Sequence, residues 1–200
     1  MKLKIIIFSS LFFFGSCKSD LIKNDYESNF QKKMNDLFKD ASISPLTSSD
    51  LKNFKFLSFF PIDSTFIVKS KLFRTPNAPF QKMKTNNEAI STKLRVYGIL
   101  NFNLKGNEYS LEVYQDQSSM STDQEYLLLP FFDDTNGNST YGGGRYINLK
   151  TPKNDCIIID FNRSVNPYCA YNEEYSCLKT PRENYLPIEV KAGLKYTKNN

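Results

Sequence analysis

The side chains best suited to chemistry crowd into residues 127–162, LLLPFFDDTNGNSTYGGGRYINLKTPKNDCIIIDFN. Asp133, Arg145 and Asp160 could set a guanidinium fork among carboxylates, and Tyr141, Tyr146 and Asn162 add phenols and an amide. Such a set suits a pocket for a small polar or anionic ligand, with Arg145 as the carboxylate or phosphate fork. Either aspartate could also serve a hydrolase or transferase as general base. Two other motifs are incomplete. Residues 134–138, DTNGN, begin like a calcium loop, but Ser139 stands where that loop needs Gly and Arg145 where it needs a bidentate Glu. The triplet Gly142, Gly143, Gly144 could offer backbone N–H groups to an anion, yet it lacks the Lys-Ser/Thr of a P-loop.

Three apolar runs must position these residues. Glu125 to Phe132 predicts a strand, with Pro130 arguing for an edge or a bulge. Arg145 to Leu149 predicts a second and Cys156 to Phe161 a third, the latter apolar enough to be covered on both faces. Pairing the last two antiparallel across residues 150–155 sets Leu149 opposite Cys156, Ile147 opposite Ile158 and Arg145 opposite Asp160. Asp133 and Asn162 then end at the same edge of the sheet. The cluster is either a ligand pocket or a structural ion pair closing the sheet end, and a one-residue slip would send Arg145 to the other face.

Earlier in the chain the clearest pattern is a hairpin. Leu94, Val96, Gly98, Leu100, Phe102 and Leu104 alternate with more polar residues. A turn at residues 105–108 would put Leu104 opposite Tyr109, Phe102 opposite Leu111 and Leu100 opposite Val113. Before it, Tyr26, Phe30, Met34, Leu37, Phe38 and Ala41 recur at helical spacing, which predicts an amphipathic helix ended by Ser44-Pro45. Residues 47–50, TSSD, have the form of a capping box. The expected fold is mostly β: an antiparallel β-sandwich or barrel-like sheet with an N-terminal amphipathic helix.

Composition narrows the function classes. The 200 residues include no histidine, which removes Ser-His-Asp and Cys-His nucleophile activation, HExxH zinc sites and His-ligated metals. No cofactor and no metal site are expected. The formal charge is +5, falling by two if Lys2 and Lys4 leave with a leader, and no basic stripe interleaved with aromatics stands out. Nucleic acid is therefore not an expected partner.

Residues 1–16 read as an export signal: two early lysines, an apolar segment too short to span a bilayer, then Gly15 and Ser16. Phe14-Gly15-Ser16-Cys17 resembles a bacterial lipobox, with Cys17 lipidated. The competing reading is an ordinary signal peptide that leaves Cys17 for a disulfide. Residues 17–25 would be a tether and 26–200 one β-rich domain, anchored in the cell envelope outside the cytoplasm. Cys169 and Cys177 would then pair as a disulfide in an oxidising compartment. The expected partners are the membrane, through the lipid, and a small molecule. An alternative role is structural or assembly work at the envelope.

Several strings together resemble a known family: PFxDxTxG at 130–137, TYGxGRY at 140–146, DFN at 160–162, NPxCAY at 166–171 and EN at 183–184. With FPID at 60–63 and YGxLxF at 97–102, they resemble the bacterial and archaeal family catalogued as domain of unknown function 1684. The resemblance implies a β-dominated domain, sometimes lipid-anchored, with no established activity. This chain departs from the pattern at Leu178-Lys179-Thr180, where a proline-rich run is usual, and at Leu194, where an acidic residue is usual.

Overall fold

The computed structural model describes residues 25–118 and 126–196, with side chains from residue 29 onward. The leader, Cys17 and most of the tether lie outside the described residues, as does the side chain of Tyr26. Eight strands are formed: β1 Ile67–Arg74, β2 Gln81–Lys84, β3 Ser91–Leu104, β4 Asn107–Asp116, β5 Tyr126–Asp133, β6 Arg145–Lys150, β7 Cys156–Asp160 and β8 Tyr185–Leu186. They make one sheet in the order β6-β5-β4-β3-β1-β7, with β2 added beside β3 and β8 beside β5. All pairs are antiparallel except β5 with β8. The fold is mostly β, and the sheet curls into a half-barrel with β6 and β7 at opposite ends of the path.

That order corrects the expected pairing of β6 with β7. β7 lies against β1, with Ile67 opposite Asp160 and Ser70 opposite Ile157, while β6 lies against β5, with Arg145 opposite Phe131 and Leu149 opposite Leu127. Arg145 and Asp160 therefore belong to opposite ends of the strand path. The physical reason is burial of one face: Ile157 and Ile159 are buried, while Cys156, Ile158 and Asp160 on the other face are half-buried, not covered as the apolar run predicts. Ile157 and Ile159 need apolar neighbours, and β1 supplies Val68 and Leu72 in one continuous core with Leu100, Leu111, Leu129 and Ile147.

The β3–β4 hairpin forms with a tighter turn than expected. Lys105 and Gly106 both take positive φ, 51° and 87°, the conformation of a two-residue hairpin loop whose twist matches that of its strands. Leu104 consequently faces Asn107, Phe102 faces Tyr109 and Leu100 faces Leu111. The register moves by two residues. Because side chains alternate with period two, the same residues still face the core, and Leu100, Phe102, Leu104 and Leu111 are all buried.

β4 and β5 share a ladder only at Tyr114–Leu128 and Gln115–Leu127. Farther along, the Asn184 side chain takes the place of backbone pairing. Its Oδ1 accepts the Glu112 N–H at 2.8 Å, and its Nδ2 donates to Glu112 O at 2.7 Å and Pro130 O at 2.6 Å. Pro130, which has no N–H of its own, is thereby accommodated in a sheet interior.

Among the described residues two α-helices lie outside the sheet. α1, Asp25–Lys39, contributes buried Phe38 to a satellite cluster with Leu57 and Leu194, flanked by Met34 and Leu37. α2, Ser48–Asn53, starts at the N-cap Thr47. The Thr47 hydroxyl accepts the Asp50 N–H at 3.2 Å and donates to the Asp50 carboxylate at 2.6 Å, which satisfies part of the first helical turn as the TSSD pattern predicts. Among the described residues no helix is long and apolar enough to cross a membrane.

Candidate functional site

Asp133 ends β5 and Arg145 opens β6, so the antiparallel ladder brings both to one corner. Both side chains are fully buried. Arg145 Nη2 donates to Asp133 Oδ2 at 2.7 Å and to Val190 O at 2.9 Å, and Nη1 donates to Ala192 O. Its guanidinium lies over the Phe131 ring, 5.1 Å from the centroid. The other Asp133 oxygen accepts Thr135 N at 2.9 Å, Thr135 Oγ1 at 2.5 Å and Val190 N at 3.2 Å. Burial pulls the Arg145 guanidinium below its ordinary value, while the Asp133 charge and hydrogen bond oppose that shift. Every acceptor of this corner is supplied by protein, so the pair fastens β5, β6 and the C-terminal segment 190–192 together. Gly144 completes the corner. Its φ is +90°, and an added Cβ would come within 2.5 Å of Thr180 Oγ1.

Asp160 and Asn162 work in a second place. The Asp160 side chain caps the 3₁₀ turn Phe161–Arg163 by accepting Asn162 N at 3.0 Å, and it also accepts Asn162 Nδ2 at 3.0 Å. Asn162, itself buried, clamps the backbone of Asp63, accepting its N–H and donating to its C=O, each at 3.0 Å. Burial raises the Asp160 carboxyl above the ordinary range, against the two bonds from Asn162. The expected convergence of Asp160 and Asn162 with Arg145 is thus corrected: Asp133 and Arg145 meet, and Asp160 and Asn162 pin the start of β1 instead.

Tyr141 and Tyr146 flank a third feature. Tyr141 stacks edge-on against Tyr196 with centroids 5.2 Å apart and hydrogen-bonds the Cys169 thiol. Cys169 and Cys177, expected as a disulfide, are free thiols. The Cys169 N–H donates to Cys177 Sγ at 3.1 Å. The 3₁₀ turn Tyr168–Ala170 aims an amide at the sulfur, so Cys177 acts as an acceptor. Among the described residues no group of three or more His, Cys, Asp or Glu side chains is placed to hold a metal.

The principal cavity lies on the other face of β5 and β6. Along these strands Leu127, Leu129, Phe131, Ile147 and Leu149 point into the main core, whereas Tyr126, Leu128, Tyr146 and Asn148 line a cavity of about 670 Å³. α1 closes one side with Phe30, Met34 and Leu37, and residues 163–168 and 175–178 close another. Tyr146 donates its hydroxyl to Leu178 O, and burial drives its phenol above the ordinary range. Asn166 is 2% exposed. Its Nδ2 donates to Tyr171 Oη at 2.9 Å and Lys195 O at 3.2 Å, but its Oδ1 has no partner. That oxygen has no accessible surface, so it is sealed behind the wall and is not presented to the cavity. Of the six residues singled out in the sequence, Tyr146 alone is among the cavity walls. The signal for Asn166 and Cys177 was weak, since both sit in irregular segments that meet β6 only in three dimensions.

Residues 52–195 match the family model described as "Protein of unknown function (DUF1684)". No curated protein matches the chain. An uncharacterised protein of Haloarcula marismortui, solved in solution by NMR, is similar to it at 26% identity, over 86% of this chain and 95% of that one, with a TM-score of 0.67.

Two expectations follow. Arg145→Met strands a buried carboxylate and should lower unfolding stability by about 3–5 kcal/mol, with a substantial part recovered in Arg145→Met/Asp133→Asn. Urea unfolding of the four members of the cycle measures this, and a stable single variant would contradict a structural pair. Asp160 has a folded value raised above the unfolded one, so ionising it costs the native state stability as pH rises through the folded value. Asp160→Asn keeps an acceptor for Asn162. Its melting temperature should exceed the wild type at pH 8, and the gain should vanish as pH falls to where the wild-type carboxyl is protonated in both states.

Proposed function

The chain belongs to the DUF1684 family, and we propose from its own geometry that it is a binding module for a small amphipathic ligand. The ligand enters the cavity between α1, the outer face of β5–β6 and residues 163–178. One observation carries this reading: a cavity of about 670 Å³ lined mostly by apolar and aromatic side chains, among them Phe30, Leu37, Leu128 and Tyr146. That volume falls in the usual range for small-molecule sites, about 300–1,000 Å³, which are mostly apolar with a few placed polar groups.

The walls indicate what would fit. Leu37, Leu128, Ile90 and the rings of Phe30, Tyr126 and Tyr168 suit an apolar or aromatic body. The Arg163 guanidinium stands over the Phe30 ring at 5.0 Å, and Asn148 and Thr92 add polar groups to the wall. A small molecule with an aromatic body and a polar edge suits these walls. The reading also tethers the domain to a membrane through Cys17, supported by the FGSC string after an apolar leader. A domain held at an envelope and open to solvent on its cavity side suits capture of such molecules outside the cytoplasm.

An anilinonaphthalene sulfonate dye has an aromatic body with a polar edge. It should bind with one-to-one stoichiometry and rising fluorescence. Ile90 lines the cavity and is 48% exposed, so Ile90→Trp can fill the mouth without unfolding the core. That variant should weaken dye binding at least about tenfold, which corresponds to about 1.4 kcal/mol, at an unchanged melting temperature. Unchanged dye affinity in Ile90→Trp would remove the cavity as the site. Separately, Cys17→Ser should move the protein from the membrane to the soluble fraction of the producing cell, and retention in the membrane would sink the anchor.

A further inference from the structure

Exposed apolar side chains gather at one place on the molecule. Ile90, Tyr126, Tyr168 and Tyr175 are 48, 41, 38 and 36% exposed, and all four line the cavity between α1 and the outer face of β5–β6. They come from separate segments. Ile90 precedes β3, Tyr126 opens β5, and Tyr168 and Tyr175 stand on the irregular chain that covers β6, their rings 5.4 Å apart. Apolar side chains scattered singly over a surface need no partner, but a group of them around one opening marks an interaction surface.

We infer that this rim docks on the lipid bilayer that carries the anchor, with Ile90 and the three tyrosine rings in its headgroup layer. This rests on the Cys17 anchor proposed above and adds which side of the domain meets the lipid. The length of chain before α1 limits that choice. Eight peptide units separate Cys17 from Asp25, where α1 begins, and they span at most about 29 Å when fully extended. Phe30 follows about 7.5 Å farther along the helix and stands in the cavity wall. The helix end held nearest the lipid is therefore a wall of the same cavity.

The chemistry of the rim selects a lipid surface over a charged partner. A tyrosine ring is apolar with a polar tip, which suits the boundary between hydrocarbon and water. Charges beside the rim are mixed in sign. Arg163 lines the cavity and Lys150 stands opposite Tyr126 across the β5–β6 ladder, while Glu88 and Glu174 lie close in sequence to Ile90 and Tyr175. Burial of apolar surface therefore carries the docking, and anionic lipid is not required. The headgroup layer is hydrated, so a cavity placed there stays open to water while it meets amphipathic molecules that partition into the lipid.

The chain has no tryptophan, so Ile90→Trp puts a single indole in the rim, and Phe73→Trp puts one at an exposed position of β1, three strands from β5. Each full-length variant is placed in proteoliposomes of phosphatidylcholine brominated on its acyl chains. The indole at position 90 should be quenched and its emission shifted to the blue, and the indole at position 73 should show neither effect. Adding phosphatidylglycerol should leave this unchanged. Tyr126→Asp with Tyr175→Asp in the Ile90→Trp background should abolish the quenching while the protein stays in the membrane fraction. Equal quenching at both positions, none at position 90, or quenching that needs the anionic lipid or survives the two aspartates overturns the inference even where the anchor stands. If the anchor fails and the chain is soluble, the same vesicles are added from outside; quenching at position 90 alone then supports the rim, and its absence overturns it. Quenching at position 90 where the wild-type chain binds no dye keeps the docking surface and removes the cavity as a ligand site.

Discussion

The buried ion pair of Arg145 with Asp133 is the constraint on which the rest of the molecule depends. Removing two charges from water costs several kcal/mol per ion, and the attraction between them offsets that only when the remaining lone pairs and N–H groups are also satisfied. Here the surrounding chain supplies those partners. Thr135 and the Val190 amide complete Asp133, and the carbonyls of Val190 and Ala192 complete most of Arg145. The C-terminal segment therefore has one position it can occupy, against the corner where β5 hands over to β6. With that segment fixed, Leu194 reaches back to Phe59 and Phe38, so α1 is docked by a chain whose own place was set by the ion pair.

This arrangement explains why the cavity lies on the far side of β5–β6. The corner uses the core-facing residues Asp133 and Arg145, and strand alternation sends Leu128, Tyr146 and Asn148 to the opposite face. An apolar outer face must be covered. It is covered by α1 and by the irregular segments 163–168 and 175–178, which β6 secures through the Tyr146–Val165 bridge. Irregular chain packs less completely on a sheet than a helix or a second sheet does, and space remains between the covering pieces. Asn166 and Cys177 enter the site on those pieces.

How much of this was legible in the sequence depends on the range of the interaction. The TSSD cap is local, and residues three apart settle it. The β3–β4 hairpin was legible in its faces but not in its turn, because period-two alternation fixes faces while the choice between two and four loop residues rests on Lys105 accepting positive φ. The nearness of Asp133 to Arg145 was anticipated, but through the wrong partner strand. Adjacency in sequence favoured β6 with β7, whereas the isoleucines of β7 are better buried between β1 and the main core. The role of Asn184 as a substitute for missing ladder bonds between β4 and β5 leaves no local trace, since its partners Glu112 and Pro130 are 72 and 54 residues away. The same holds for Asn166, whose partners Tyr171 and Lys195 say nothing of its free oxygen until β6 is beside it.

Among the described residues two buried side-chain polar atoms lack partners, Arg145 Nε and Asn166 Oδ1. An unsatisfied buried group costs about 1–3 kcal/mol, so each requires compensation. Arg145 Nε belongs to a guanidinium that already makes three hydrogen bonds, with its charge neutralised by Asp133 and its face covered by Phe131; the network as a whole offsets the missing bond. Asn166 draws its compensation from the two bonds that its amide nitrogen donates, to Tyr171 Oη and to Lys195 O. Those bonds tie residue 166 to the C-terminal segment that the ion pair has already placed. Both deficits are therefore sealed within the fold, since neither atom has accessible surface, and each is carried by the bonds that the rest of its own side chain makes.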